Sequence, residues 1–210
     1  MHYRSRIFVI LAQSDREIGL NMEPVIPQDF TIETARCLLR CPTADDLPQI
    51  FSATRVAGFN RGMHWEPPAT IEELEEPLKE QLLDWEIGKA FSFTIADPVS
   101  DYLIGRIGIR KTNRVDVWNL GFWTHPDRQG CGYMTESLAA VIAFGFHRLR
   151  ANRIEASYAL WNKASQRVLQ KNGMKFIQYI PHAFRKRGHW IEANKVEITD
   201  REWLALSGKS

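Results

Sequence analysis

The order of its segments predicts an α/β protein of the mixed, α+β kind: a mostly antiparallel central sheet flanked by helices. Two patterns carry that prediction. Three strand-like runs, 90–96, 102–110 and 115–124, follow one another with only turn residues between them, as in an antiparallel meander. After residue 134 a long amphipathic helix, a strand, a second helix and a hairpin alternate. The composition fits one folded domain: 210 residues, 44% apolar, with 7 Trp, 5 Tyr and 11 Phe. A net charge of +2 excludes a basic nucleic-acid arm or an acidic tail as the organising feature. No apolar run is long enough to span a bilayer. The run 7–12, after Arg4 and Arg6, is short for a signal peptide.

Residues 1–30 form an N-terminal extension without periodicity, and Met22 is a candidate true start. The domain is expected over 31–206, with 207–210 as a tail. A first strand is predicted over 34–40, ended by Pro42. Thr43 caps a helix to about residue 53, with Asp45 and Asp46 in its first turn, where carboxylates favour the helix dipole. Gly58, Gly62, Pro67 and Pro68 mark 54–70 as a loop. Thr70 caps a second helix, whose apolar positions Ile71, Leu74, Leu78, Leu82 and Trp85 keep helical spacing; Pro77 threatens to break it, and Gly88 stops it. Asp97-Pro98 and Thr112-Asn113 separate the strands of the meander. The helix 135–149 sets Leu138, Ile142, Gly145, Phe146 and Leu149 on one face. A strand over 153–160, a helix from Asn162 or Lys163 to Asn172-Gly173, and a hairpin of 176–181 with 190–199 around Gly188 complete the order.

Three cysteines cannot form a disulfide framework. Cys37 and Cys41, four residues apart on a strand, stand about 13 Å apart, too far for a bridge or a shared metal. They read as buried small side chains in a protein of the reducing cytoplasm.

The chemistry lies in Gln129-Gly130-Cys131-Gly132-Tyr133-Met134-Thr135-Glu136, between a strand and a long helix. Its glycines allow a tight turn close to a ligand, and the helix start offers free N–H groups to an anion. The stretch can hold a pyrophosphate without a lysine. A dinucleotide fingerprint is excluded because Thr135 stands where glycine or alanine is needed. A P-loop at Gly208-Lys209-Ser210 fails because Trp203 fills the first glycine position.

Together with Asn119-Leu120-Gly121-Phe122-Trp123-Thr124-His125-Pro126, this segment resembles the acetyl-CoA-binding core of the GNAT N-acetyltransferase superfamily. Further pieces resemble its RimJ/RimL-type branch: 34–40 followed by Asp45-Asp46, Arg153-Ile154-Glu155-Ala156, Asn162 to Leu169, and Lys171-Asn172-Gly173-Met174. The resemblance spans about residues 31–205. It implies a sheet splayed by a β-bulge between the strands 115–124 and 153–160, with the backbone of Phe122, Trp123 and Thr124 pairing with the pantetheine arm. It places the pyrophosphate on Gln129, Gly130, Cys131, Gly132, Tyr133, Met134 and Thr135. A backbone N–H near Trp123 or Thr124 polarises the thioester carbonyl. Asn162 holds the pantetheine and Ser165 protonates the departing thiolate. Acetyl-CoA is the co-substrate, with no metal.

Two residues depart from the pattern. Asn119 stands where related enzymes often have a glutamate base; Glu155, Asp116 and His64 are the substitutes, and a paired or exposed strand carboxylate is the plainer reading of Glu155. Met134 replaces a small residue near the cofactor and must bend aside or weaken phosphate binding. Cys131 reads as a spacer and His125 as a shaper of the loop. The acceptor site falls to 59–65 and 184–190, with His64, Trp65, Arg185 and Trp190 as candidates. Arg185, Lys186 and Arg187 either attract an acidic acceptor or ribosomal RNA, or form a solvated hairpin tip. The resemblance thus implies acetyl transfer to a primary amine, such as a protein N-terminal α-amine, by direct attack in a ternary complex. A small-molecule amine acceptor and a catalytically weak acyl-CoA-binding regulatory module are the alternatives. No membrane or specific nucleic-acid partner is expected, and the chain acts as a monomer or homodimer.

Overall fold

Period-two alternation of apolar residues builds one eight-stranded sheet, seen in a computed structural model that describes residues 25–208. In chain order the elements are β1 (Ile32–Glu33), β2 (Leu38–Arg40), α1 (Leu47–Thr54), α2 (Glu75–Glu86), β3 (Ala90–Ala96), β4 (Leu103–Lys111), β5 (Val117–Thr124), α3 (Tyr133–His147), β6 (Arg153–Ala159), α4 (Lys163–Lys171), β7 (Lys175–Lys186), β8 (His189–Thr199) and α5 (Asp200–Ser207). The spatial order is β1-β2-β3-β4-β5-β6-β8-β7. Every neighbouring pair is antiparallel except β5 with β6.

Most expected elements are present, and the departures have local causes. The strand expected over 34–40 is confined to β2, and a tight turn over 34–37 joins it to β1. Thr34 Oγ1 accepts from the Cys37 amide at 3.0 Å, and the Thr34 amide donates to the Cys37 carbonyl at 2.9 Å. Pro77 does not break α2, because it lies in the first turn, where its missing N–H has no helical partner to lose. The strand expected to end at Pro181 continues as β7 to Lys186, with irregular register between Ile180 and Phe184. As the sheet edge, β7 can carry a proline. Arg187 and Gly188, both at positive φ, make the two-residue hairpin turn to β8. The unpredicted α5 starts at a capping box in which Thr199 and Glu202 satisfy each other's amides. Met22, most of the N-terminal extension and the P-loop mimic's last two residues lie outside the described residues. Ile26, within the expected extension, is buried, and its carbonyl accepts from Trp85 Nε1 at 2.8 Å. Cys37 and Cys41 are buried and unbridged.

The two faces of the sheet have different roles. One face carries Phe91, Phe93, Ile107, Ile109, Leu120 and Ile154, buried in the main core with Leu138, Val141 and Phe144 of α3. The Phe144 ring packs edge-on against Phe91 and Phe93 at 5.6 and 5.5 Å. The alternate positions Ser92, Arg106, Gly108, Arg110, Asn119 and Gly121 share the other face, which is left open as the floor of a cavity. Among the described residues no helix is long and apolar enough to cross a membrane.

Candidate active site

The parallel ladder between β5 and β6 stops after four pairs, from Val117↔Arg153 to Leu120↔Ala156. Beyond it β5 stays with β4 to Thr124, whereas β6 stays with β8 to the pair Ala159↔Ala193, so the two strands part. No bulge splays them: the β4–β5 register is unshifted from Lys111↔Trp118 to Gly105↔Thr124, correcting that expectation. Gly105 permits this tight pairing, because a Cβ there would collide with the Trp123 carbonyl oxygen. A cavity of about 1810 Å³ opens at the gap, lined by Gly121, Phe122, Trp123 and Thr124 on one side and Ser157, Tyr158 and Ala159 on the other.

The glycine turn closes one end of this cavity. Gly130 and Gly132 take φ of +77° and +84°, and Gly132 is the N-cap of α3. The first amides of α3 therefore face the cavity without helical acceptors. Gln129 contributes differently from the expectation: its amide bonds to the Pro126 carbonyl at 3.3 Å, and its side chain donates to the Thr124 carbonyl at 3.3 Å. Cys131 is not among the lining residues, and its carbonyl accepts from Arg36 Nη1 at 3.0 Å. The same Arg36 bonds Glu136 of α3 through its amide and Nε, both at 2.8 Å, and lies over the Tyr133 ring at 4.8 Å. This clamp was not expected, since no local signal links residues a hundred positions apart. Met134 lines the cavity and packs with the core. His125 shapes the neighbouring turn: Nδ1 accepts from the Asp127 amide at 3.3 Å, and Nε2 pairs with Ser52 Oγ at 3.1 Å.

At the start of α4, Asn162 Oδ1 accepts from the Ser165 amide at 3.1 Å, so Asn162 caps the helix. Both residues line the cavity. A splayed parallel pair, a glycine turn feeding a helix and a capped helix across the gap thus converge on one cleft.

The acetyltransferase (GNAT) domain family matches residues 36–175. The chain belongs to this family. YnaD of Bacillus subtilis, an uncharacterised N-acetyltransferase, is 29% identical over 103 residues, or 49% of this chain and 61% of YnaD, so the chain spans about three-fifths of that curated relative's length. A Vibrio cholerae structure, provisionally described as a ribosomal-protein-serine acetyltransferase, is 26% identical with a TM-score of 0.73, covering 83% of this chain and 99% of its own. RimJ of Mycobacterium smegmatis, solved with CoA-disulfide, shares the fold at 21% identity and a TM-score of 0.73, covering 89% and 98%.

Within this GNAT domain the substitutes for a glutamate base separate. Asn119 lines the cavity and donates through Nδ2 to the Glu155 carbonyl at 3.4 Å. Glu155 itself is buried outside the lining, between Arg114 and Lys195, the latter at 2.6 Å. Burial alone would raise its carboxyl, but Lys195 and Arg114 more than offset this and hold it below the usual range. It is an ion-paired strand carboxylate, not a base facing the cavity. Asp116 is also absent from the lining and binds Asn152 Nδ2 at 3.2 Å. His64 lines the cavity, with its ring 4.1 Å from that of Phe184. Burial, and then the charges of Arg110 and Lys186, push His64 below its ordinary value, so it is neutral at neutral pH.

The acceptor candidates also divide. His64 and Trp65 line the cavity; Arg185 and Trp190 do not. Arg185 and Trp190 are exposed cross-strand partners. Arg185 Nε donates to the Gly188 carbonyl at 3.2 Å, and the Trp190 ring lies 5.1 Å from that of His182. From the hairpin Ile180, Ala183 and Phe184 line the cavity instead. Lys186 is buried rather than solvated: its Nζ donates to the Trp65 carbonyl at 2.7 Å and meets Glu66 at 3.0 Å, tying the hairpin to the loop before α2. Among the described residues no cluster of His, Cys, Asp and Glu converges to hold a metal.

Proposed function

We propose that the chain transfers an acetyl group from acetyl-CoA to a primary amine, a protein N-terminal α-amine or a small amine, by direct attack in a ternary complex. The observation that carries this reading is the gap between β5 and β6 beside the glycine turn, in a chain of the GNAT family. Acetyl-CoA supplies the acetyl group as an activated thioester. The amides from Gly130 to Thr135 hold its phosphates, and the free edge of Phe122–Thr124 pairs with the pantetheine arm. An amide at Trp123 or Thr124 faces the carbonyl oxygen as charge builds on it. His64 takes the proton that the ammonium must lose before its nitrogen attacks. Attack leaves the nitrogen with one surplus proton, which it releases to water; the carbon–sulfur bond then breaks, and Ser165 Oγ gives the sulfur a proton and regains, through that water, the one the nitrogen released. Asn162 holds the arm and, as the α4 cap, positions Ser165. Three free cysteines suit a reducing cytoplasm as the place of action.

The competing reading, CoA binding without turnover, is favoured by Asn119. Thermal unfolding with acetyl-CoA tests the cofactor: at about 100-fold over Kd it adds about 2.7 kcal/mol, a rise of about 5–10 °C at this length. No rise at millimolar acetyl-CoA refutes the proposal. A rise with no acetylation of any amine leaves the binding module.

A further inference from the structure

Of the charged groups that line the cavity, Arg106 has a buried donor without an acceptor. Arg106 stands on β4, cross-strand from Thr94 and Trp123, in the open floor. Its Nη2 donates to Gln81 Oε1, while its Nε is buried with no acceptor. Burying a guanidinium donor without an acceptor is unfavourable, and such groups are normally paired. Asp46 is close enough to be felt, yet its oxygens are occupied by Arg40 at 2.8 and 3.1 Å, the Thr43 amide at 2.9 Å and the Thr94 hydroxyl at 2.7 Å. Burial lowers Arg106 to about 10, so it stays cationic at neutral pH.

The surroundings add to this. Arg110, four positions along the same floor, makes no hydrogen bond or ion pair among the described residues. Between the two arginines Gly108 and Gly121 are cross-strand partners, leaving bare backbone and space for a ligand. The two acids that line the cavity are engaged: Glu66 with Lys186 at 3.0 Å, and Glu73 with the Ala69 amide at 2.8 Å.

We propose that Arg106 anchors an anionic oxygen group, carboxylate or phosphate, on the amine acceptor, so that the acceptor is an amine-bearing acid and not a polyamine. The proposal rests on the acetyl-transfer reading and deepens it. Arg106 holds the acidic end, the Gly108–Gly121 floor accommodates the body, and the amine reaches the gap at Trp123, the cross-strand neighbour of Arg106. A guanidinium suits this task because its fork matches the oxygens of either anion. A polyamine would bring positive charge onto two arginines with no unengaged acid beside them.

Product analogues test this without turnover. Calorimetry on the CoA-saturated protein compares an N-acetylated glycyl-aspartyl amide with its asparaginyl isostere, N-acetylphosphoethanolamine with N-acetylethanolamine, and adds N-acetylspermidine. At least one anionic ligand should bind about ten-fold tighter than its neutral partner. Which pair shows the preference distinguishes carboxylate from phosphate. In Arg106→Gln the preference should vanish while CoA affinity is unchanged. Equal binding within both pairs, a preference that survives in Arg106→Gln, or tightest binding of N-acetylspermidine overturns the proposal. The wild-type comparison decides the matter even if the variant fails to fold. Failure of CoA to bind counts against the acetyltransferase reading alone, because the same pairs titrated without CoA still report on Arg106.

Discussion

Asn119 cannot take a proton at neutral pH, so the proposed transfer needs a base elsewhere in the cavity. His64 is the candidate whose surroundings favour a neutral, accepting ring. Its loss in His64→Gln should lower kcat about 100-fold or more, the ordinary contribution of a positioned base, and leave CoA affinity unchanged. The sign of the pH dependence follows from the shift: the ring accepts a proton only above its own pKa, which lies below 6.5. Wild-type kcat/KM should therefore fall at acid pH along a limb below 6.5 that His64→Gln lacks. Equal rates for the two proteins would remove His64 from the reaction. At this scale the glycine turn and the Asn162–Ser165 pair were legible as local signals, and the structure brings both to the same cavity. The base was not. Glu155 and His64 are equally plausible as letters, and only the ion pairs with Arg114 and Lys195 and the openness of the cavity separate them. Arg106 gave no signal, since an arginine on a strand reads as exposed until its surroundings are known.

Strands are where the cleft is built, and Gly105 is the tightest point among them. Gly105→Ala forces a methyl group against the Trp123 carbonyl in the strand that borders the gap. It should destabilise the protein by about 2 kcal/mol, the scale of other overpacking changes, and weaken acetyl-CoA binding. Urea unfolding and a CoA titration measure the two effects; a variant as stable and as tightly binding as wild type would show that β4 and β5 have slack. Elements with strong period, β3 to β6 and α3, were readable to within a few residues. The turn at Thr34 was not, because the Arg36 clamp that follows it depends on Glu136, far along the chain. The start of α5 was readable and missed: Thr199 and Glu202 carry capping-box spacing, hidden behind the last strand.

Over the whole molecule, buried and paired carboxylates govern the response to acid. Asp46, Glu136 and Glu155 are each raised by burial and lowered further by their partners, with a net shift downward; the Lys175 and Thr199 contacts bring Glu202 to about 2. A carboxyl with a folded pKa below its unfolded value contributes stability above the unfolded value and loses it as pH falls through the folded one. His64, also lowered, has the same sign. The thermal midpoint should be level above pH 6.5, dip slightly below it, and fall steeply from about pH 4.5 toward 2. A midpoint that rises on acidification would contradict these pairings. The gap itself belongs to this scale: no segment encodes it, and it arises because β5 and β6 follow different partners. Its free edge is backbone, with every second residue turned toward the opening, a spacing of about 7 Å. A ligand gripped there is gauged as by a ruler whose marks are peptide groups, which substitution leaves in place. Side chains on the floor are then free to diverge, so the molecule can exchange one clientele for another without relearning its donor.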